Sequence, residues 1–457
     1  MIMRIVVVGE GKVGSTIVKQ LAMEGHDVVI IDNNPITLKN ASNTMDVFCV
    51  EGNGASYAVQ ERAEVGRADL LIAATSADEV NMLCCLIGKK QGVNHTIARV
   101  RNPEYFFQMD VIKDELGLSM TVNPELLAAD EIARLLKFPS ALKIETFAKG
   151  RVELIEYKIA ENSSLVGMPL FALYKEYQVK VLVCAVQRGN EVYIPAGDFV
   201  LQAGDKINLT ASRDEIIRFF RAIGVFSNKI KRVLIIGGGR IAYYLAKQLT
   251  TTAHMKIKII EKDFKRCEYL CEQLPEAVII NGDGTDRELL REEGLEKTDA
   301  VVMLTGMDEE NIVVSMLAKA CNVSKAIAKV NRISFPEILN SLDVDSFIAP
   351  KSIAANSIVR YVRAMQNSMG SNVETLHMLI NDQVEALEFR VKKGGEFIGI
   401  PLKDLKTKKG ILIATIVRSG KIIIPGGNDT IEVGDGVIVV TTNQHLSDLR
   451  DILQHTR

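Results

Sequence analysis

The sequence is poor in the residues from which reactive centres are usually built. Histidine occurs six times without forming a cluster, and the seven cysteines include no CxxC pair. Zinc sites are built from such clusters, so no metal ligand is expected. Cys49, Cys84, Cys85, Cys184, Cys267, Cys271 and Cys321 are expected to be buried thiols of a reducing cytosol. Cys267 and Cys271 share a helix face at a separation of four, but no His or further Cys stands near them. No stretch approaches the ~18 apolar residues of a membrane span. The short apolar run after Arg4 ends in glycines, unlike a secretory signal, so a cytoplasmic location is expected. Neither sign of charge is in excess: 55 Lys and Arg stand against 57 Asp and Glu, a net charge of −2. With no basic patch and no DNA-reading helix pair, a nucleic-acid partner and a transcription regulator are both disfavoured.

What is present is a repeat. Shifting the chain by about 230 residues aligns nearly all of it with itself. "VVVGEGKVG" at Val6 matches "VLIIGGGRIA" at Val233, and "VVIIDNN" at 28–34 matches "IKIIEKD" at 257–263. "LIAATSADEVNM" at 71–82 matches "VVMLTGMDEENI" at 301–312, and "NPELLAADEIARLL" at 123–136 matches "APKSIAANSIVRYV" at 349–362. Different modules follow each copy and match each other, "ELIEYKIAENSSLVGMPL" at 153–170 with "EALEFRVKKGGEFIGIPL" at 385–402. The chain is a duplication with the order N1–C1–N2–C2.

Local signals assign the fold class. In the N modules, Val- and Ile-rich runs ending in Gly or Asp alternate with stretches of helical period, the pattern of a parallel sheet built from βαβ units. The C modules read as a strand, a proline-started helix at "PLFALYKEY", a hairpin turned at 188–190 or 419–420, and a last strand. The expectation is an α/β chain: two Rossmann-like, doubly wound parallel-sheet domains, each followed by a small α+β domain. The expected boundaries are 1–140, 141–228, 229–370 and 371–457.

The glycine turns carry the functional signal. Gly9 permits the strand-to-helix turn, Gly11 lets a pyrophosphate approach the backbone, and Gly14 lets the helix pack on the strand. The helix N-terminus that follows favours an anion. Asp32, at the end of the next strand, is placed for ribose hydroxyls and should disfavour a 2′-phosphate. Glu10 lies in the turn and is expected to face solvent, where it does not repel phosphate. In the second copy Gly237 and Gly239 keep their roles, Ala242 replaces the third glycine, and Glu261 stands for Asp32, with Lys262 beside it. Asn53 and Gly54 follow the third strand, as ligand contacts or as a tight turn. Thr75 and Ser76 follow the fourth, contacting nucleotide or capping the next helix. Arg99 and Arg101 end the fifth strand, where alternation turns both to one side. Their counterparts are Lys329 and Asn331, with Arg332 adjacent.

Nothing beside these turns supplies a His–Asp or Lys–Tyr constellation for hydride chemistry. His26 and His95 lie in turns and are expected to be exposed. No catalytic residue is assigned, and the C modules, at roughly 60–80 residues, are small for a catalytic domain. An NAD-dependent oxidoreductase with two Rossmann domains remains the alternative.

"VVVGEGKVG…VVIID", "GNGAS", "ATSADEVNM" and "IARVRNPEY" resemble the N-domain of regulators of potassium conductance, the RCK fold. "SLVGMPL…IPAGDFVLQAGDKI" resembles its C-domain. Two N–C pairs in one chain is the layout of the TrkA family of Trk potassium-uptake regulators. The resemblance implies a peripheral, cytosolic regulatory subunit that binds NAD(H) or ATP/ADP and gates a membrane potassium-transporter subunit of the TrkH/TrkG type. It implies a homotetramer forming a ring. Carried over residue by residue, its nucleotide contacts fall on Gly9, Glu10, Gly11, Lys12, Val13, Asp32, Thr75, Ser76 and Arg99. In the second half they fall on Gly237, Gly238, Gly239, Arg240, Ile241, Glu261, Thr305 and Lys329. The helices at 124–137 and 350–364 correspond to a crossover that pairs N-domains. Ala242 and Lys329 depart from the pattern and leave the second site's ligand open.

Overall fold

The computed structural model describes residues 2–138, 141–225, 230–331, 339, 342–368, 373–380, 383–392, 395, 397–442, 446 and 448–454. These residues form two compact units. One comprises 1–133 and 230–359, the other 134–229 and 360–457. The first holds both N modules and the second both C modules. The boundaries expected at 140, 228 and 370 fall on residues outside those described.

In the first unit, β1 (Arg4–Val8), β2 (Asp27–Asp32), β3 (Phe48–Glu51), β4 (Leu70–Ala73), β5 (His95–Arg99) and β6 (Met120–Val122) form a sheet in the order β3-β2-β1-β4-β5-β6. Every pairing in it is parallel. Helices cover both faces, so the central strands are apolar throughout. Ile5 to Val8 are buried without alternation, as a strand covered on both sides requires. The strand order reverses between β1 and β4, which opens a crevice at their carboxyl ends.

The chain reaches the second unit at β7 (Lys143–Phe147), β8 (Val152–Lys158), β9 (Leu182–Arg188), β10 (Glu191–Tyr193) and β11 (Lys206–Ala211), an antiparallel sheet ordered β10-β9-β11-β8-β7. Then the plan repeats. In the first unit, β12 (Arg232–Ile236), β13 (Lys256–Glu261), β14 (Val278–Asn281), β15 (Ala300–Met303), β16 (Lys325–Lys329) and β17 (Ser346–Ile348) adopt the order β14-β13-β12-β15-β16-β17. In the second, β18 (Val373–Leu379), β19 (Val384–Arg390), β20 (Ile411–Arg418), β21 (Lys421–Ile423) and β22 (Gly436–Thr441) adopt the order β18-β19-β22-β20-β21.

The hairpins lie where expected, with loops of two residues between β9 and β10 and between β20 and β21. Ser419 and Gly420 both take positive φ, the conformation that matches a tight turn to strand twist. Each hairpin is tied down by one charged fork. Arg188 donates from Nε and Nη2 to the buried Asp205 at 2.8 Å each. Arg418 repeats this on Asp435 at 3.0 and 2.9 Å. The proline-started helix is shorter than expected. A 3-10 turn, Leu170–Ala172, precedes a single helix, Leu173–Tyr177, and in the second copy the 3-10 turn Leu402–Asp404 follows Pro401.

Candidate functional site

The first crevice is built at the end of β1. Gly9 has φ +96°, and a Cβ there would lie 2.9 Å from the Thr75 backbone. Only glycine lets the turn lie this close to the end of β4. A Cβ on Gly14 would stand 1.8 Å from the Gly9 carbonyl oxygen, so the helix Gly14–Met23 can start here only without a side chain. At Gly11 a Cβ meets nothing within 4 Å. The turn is therefore closed on its protein side and open at the residue where a phosphate would approach. Asp32 closes the far end. Its Oδ2 accepts the Glu10 N–H at 2.7 Å and its Oδ1 accepts the Asn34 N–H at 2.8 Å.

Glu10 does not face solvent. Its side chain is buried at 6% exposure, and its Oε2 has no hydrogen-bond partner among the described residues. Burial, and secondly the Asp32 charge, push its carboxyl up to about 7. The reason lies in the turn. The Glu10 N–H is held by Asp32, and the side chain lies inside the turn, with Oε2 4.0 Å from where a Cβ on Gly14 would stand. His26 is likewise buried rather than exposed, and its Nδ1 accepts the Met3 N–H at 3.3 Å. The loop carrying it joins the helix Gly14–Met23 to β2 and is held beside the start of β1, where the Met3 carbonyl accepts the Asp27 N–H at 3.0 Å.

Thr75, Arg99 and the glycine turn converge, and the residue that joins them was missed by sequence reasoning. Asn81 is fully buried. Its Oδ1 accepts from the Thr75 N–H at 2.8 Å and hydroxyl at 2.7 Å, while its amide donates to the Arg99 carbonyl at 2.9 Å. It staples the ends of β4 and β5. Arg99 sends Nη1 to the Thr75 carbonyl at 3.3 Å, and its Nε is buried without a partner. Ser76 is exposed beside them. Asn53 accepts the Ala55 N–H at 3.0 Å, a turn within its own loop. Arg101 does not alternate with Arg99 along a strand. It lies past the end of β5, where Asp78 holds both its backbone N–H at 2.8 Å and its guanidinium at 3.5 Å, and the Ser76 carbonyl accepts from Nη2.

The second crevice repeats the staple and changes the acid. Asn311 accepts from the Thr305 N–H and hydroxyl and donates to the Lys329 carbonyl, at 3.0, 2.8 and 2.9 Å. The only visible sequence signal for either staple is an Asn six residues after the Thr in both copies. Gly237 has φ +97°, and a Cβ on Gly239 meets nothing within 4 Å. Glu261 Oε2 accepts the Gly238 N–H at 2.6 Å. Glu261 is one methylene longer than Asp32 and fills the space in front of the turn. A Cβ on Gly238 would lie 3.1 Å from Glu261 Cβ and 2.6 Å from Leu270 Cδ1. Arg266, also missed from sequence, donates from Nε to the Gly238 carbonyl at 2.7 Å, and Lys262 pairs with Asp283 at 2.8 Å. Arg332 lies outside the described residues.

The two N modules touch near these crevices. Tyr244 donates to the Arg101 carbonyl at 3.1 Å and accepts from Asn123 at 2.9 Å, and Gln20 donates to Asn356 at 2.8 Å. Each crevice also feels the other turn. Burial lowers the Arg99 guanidinium, Arg101 and Arg240 add to this, and Glu125 and Asp78 oppose it. Burial lowers Lys329, with Asp308 and Glu125 opposing and Lys12 adding. Lys12 and Arg240 themselves are exposed, while Val13 and Ile241 are buried under their turns.

This donor set fits an anionic nucleotide: an open glycine turn at a helix N-terminus, an acid at the ribose end, and a basic side chain at the next strand end. The unpaired Glu10 carboxylate fits only if it holds a proton or turns away. Among the described residues no group of three or more His, Cys, Asp or Glu is placed to hold a metal ion.

Comparison with known proteins agrees with this plan. The chain matches the TrkA-N domain family over residues 5–124 and 233–350, and the TrkA-C domain family over 154–224 and 386–454. It is 35% identical to a Trk system potassium uptake protein TrkA homolog of Archaeoglobus fulgidus, covering 99% of this chain and 100% of that one. It is 34% identical to a TrkA homolog of Methanosarcina mazei over 98% and 99% of the two chains, and 30% identical to TrkA of Haemophilus influenzae over 98% and 97%. Among solved structures, the GsuK RCK domain superposes with a TM-score of 0.62 at 16% identity, covering 97% of this chain and 93% of that one. The GsuK channel bound to NAD gives the same score and identity over 97% and 77%.

Proposed function

The chain belongs to the TrkA family of Trk-system potassium uptake proteins, and from that premise we propose that it is a regulatory subunit that senses nucleotide and gates a potassium transporter. The observation that carries this reading is the glycine turn built twice, closed by an acid and open at Gly11 and Gly239. NAD(H) or ATP/ADP is the ligand class, in line with a GsuK structure bound to NAD and another bound to ADP. At the first site Gly9 to Gly14 would hold the phosphates, Asp32 the ribose, and Thr75, Ser76 and Arg99 the far end. At the second, Gly237 to Ile241, Glu261, Thr305 and Lys329 take these places. A nucleotide, when bound, would supply negative charge at the glycine turn and to the basic side chain at the strand end. The protein's own groups turn that into a shift of conformation, because a ligand moves an equilibrium only through unequal affinity for its states.

Among the described residues no helix is long and apolar enough to cross a membrane. From the family membership we read the partner as a separate membrane subunit of the TrkH/TrkG type, with this chain peripheral on its cytoplasmic side and assembled as a homotetrameric ring. The chain acts by binding and is not an enzyme. The domains are N1, C1, N2 and C2 with limits near 140, 228 and 370.

The test joins binding to flux. Gly11→Asp with Gly239→Asp places a carboxylate in each open position without a backbone clash. Calorimetry should show NADH and ATP binding lost, and rubidium uptake through the reconstituted transporter should stop responding to nucleotide. Lost binding with an unchanged flux response overturns the reading, as does turnover of NADH by the purified chain.

A further inference from the structure

The second unit contains a polar contact that the nucleotide sites do not use. Glu145 on β7 and His377 on β18 meet with Oε2 and Nδ1 2.6 Å apart, and the side chains are 17% and 6% exposed. His377 Nε2 lies 3.0 Å from the Thr146 carbonyl oxygen. Lys143 Nζ lies 2.9 Å from Glu145 Oε1 and donates to the Met378 carbonyl at 3.1 Å. The Phe147 ring packs edge-on to the imidazole at 4.7 Å, and Arg360 Nη1 approaches its Nδ1 at 3.4 Å. The imidazole is thus held at both ring nitrogens, by the Glu145 carboxylate at one and the Thr146 carbonyl at the other. Burial alone raises the Glu145 carboxyl, but Lys143 and His377 together hold it well below the usual range.

Glu145 and His377 occupy the same place in the repeat. In the β7–β8 ladder Glu145 lies opposite Leu154, in the β18–β19 ladder His377 lies opposite Ala386, and Leu154 and Ala386 are matched residues of the two C modules. The carbonyls that receive Lys143 and His377, those of Met378 and Thr146, are matched as well. The contact therefore sits where a twofold axis would bring a residue against its own copy. In a symmetric homodimer that is unavoidable, because an isologous interface puts the same side chain on both sides. Two C1 modules would set Glu145 against Glu145. Two C2 modules would set His377 against His377, each with its Arg360. Lys143 pairs with Glu145 on its own strand, so across the axis itself only the unlike pair sets an acid against a base, while the apolar surround (Phe147, Ala148, Leu379 and Ile380) offers no such discrimination.

We propose that Glu145 and His377 form a pairing code, by which each C module of this chain accepts the other kind of module and rejects a second copy of itself. Duplication allowed the two sides to diverge. In an assembly of several chains, where both kinds of module are present in equal number, the code keeps the pairing unlike.

The test uses the full chain with Glu145→His, His377→Glu, and the swap that carries both. Hydrogen exchange over Lys143–Phe147 and Val373–Leu379 reports the contact. Each single variant, now with like residues on the axis, should lose protection by about tenfold or more, and the swap should return to within about threefold of the starting chain, since complementarity is restored with sides reversed. Single variants as protected as the starting chain overturn the proposal, and so does a swap that exchanges as fast as the singles. If a single variant does not fold, the swap decides. A folded, protected swap supports the code, and an unfolded one refutes it.

Discussion

The two glycine turns share a backbone plan and differ in how an acid reaches it. In the first, the short Asp32 holds the N–H of residue 10 and leaves room for a buried glutamate on that residue. In the second, the longer Glu261 makes the same bond and occupies the space itself, so residue 238 has no side chain. The acid's length and the residue at the turn are one choice made two ways. The comparison teaches that the second turn is not an eroded copy. It retains the staple through Asn311, the acid, and the open position at Gly239. What it exchanges is the charge environment, with Lys329 for Arg99 and an added Arg266.

The largest expected effect breaks the comparison on one side only. Gly14→Val forces atoms onto the Gly9 carbonyl and should cost the first N module more than ~4 kcal/mol, the range of severe backbone and packing clashes. The second module, which already carries Ala242, should keep its protection in a hydrogen-exchange experiment. Equal loss in both would mean that the turns are not independent.

A smaller effect concerns pH. Glu10 moves from 4.5 to about 7 on folding. The folded chain thus holds this proton more tightly than the unfolded one. The contribution to stability is full below about 4.5, falls as pH rises to about 7, and is flat above that. Glu10→Gln should flatten this slope and stabilise the first N module at pH 8 by up to ~2 kcal/mol, allowing for relaxation. The second module, with Gly238, should show no matching step. Melting curves at pH 5 and pH 8 check this, and parallel profiles for the two proteins would refute it. Phosphate brought near Glu10 should favour its protonated form, so nucleotide binding at the first site should take up protons, seen as a buffer-dependent enthalpy.

The smallest effect is selectivity. With the second site closed by Gly239→Asp, the first should prefer NAD over NADP by about tenfold, since Asp32 repels a 2′-phosphate. With the first closed by Gly11→Asp, the preference should shrink, because Lys262 and Arg266 flank Glu261. Calorimetry on the two variants sharpens the contrast, and identical ratios would remove it.

Much of this was legible before any coordinate. A parallel sheet follows from βαβ alternation, though its strand order does not, and the roles of Gly9 and Gly14 follow from steric rules that hold wherever a strand turns tightly into a helix. Asp32 and Glu261 were found because an acid at that strand end has a fixed distance in sequence from the turn. Asn81 and Asn311 were not, because a buried amide that joins two strand ends has no periodicity, and an asparagine near a helix start reads as an ordinary polar residue.

Sequence by itself determined the duplication, the fold class and the location of both turns, because these rest on local conformational limits and on patterns repeated along one chain. Tertiary structure alone decided that Glu10 is buried, that Arg101 is held by Asp78 rather than aligned with Arg99, and that Glu145 meets His377. Each depends on which groups from distant segments share a small volume, where burial and charge act over a few ångströms that no spacing along the chain records.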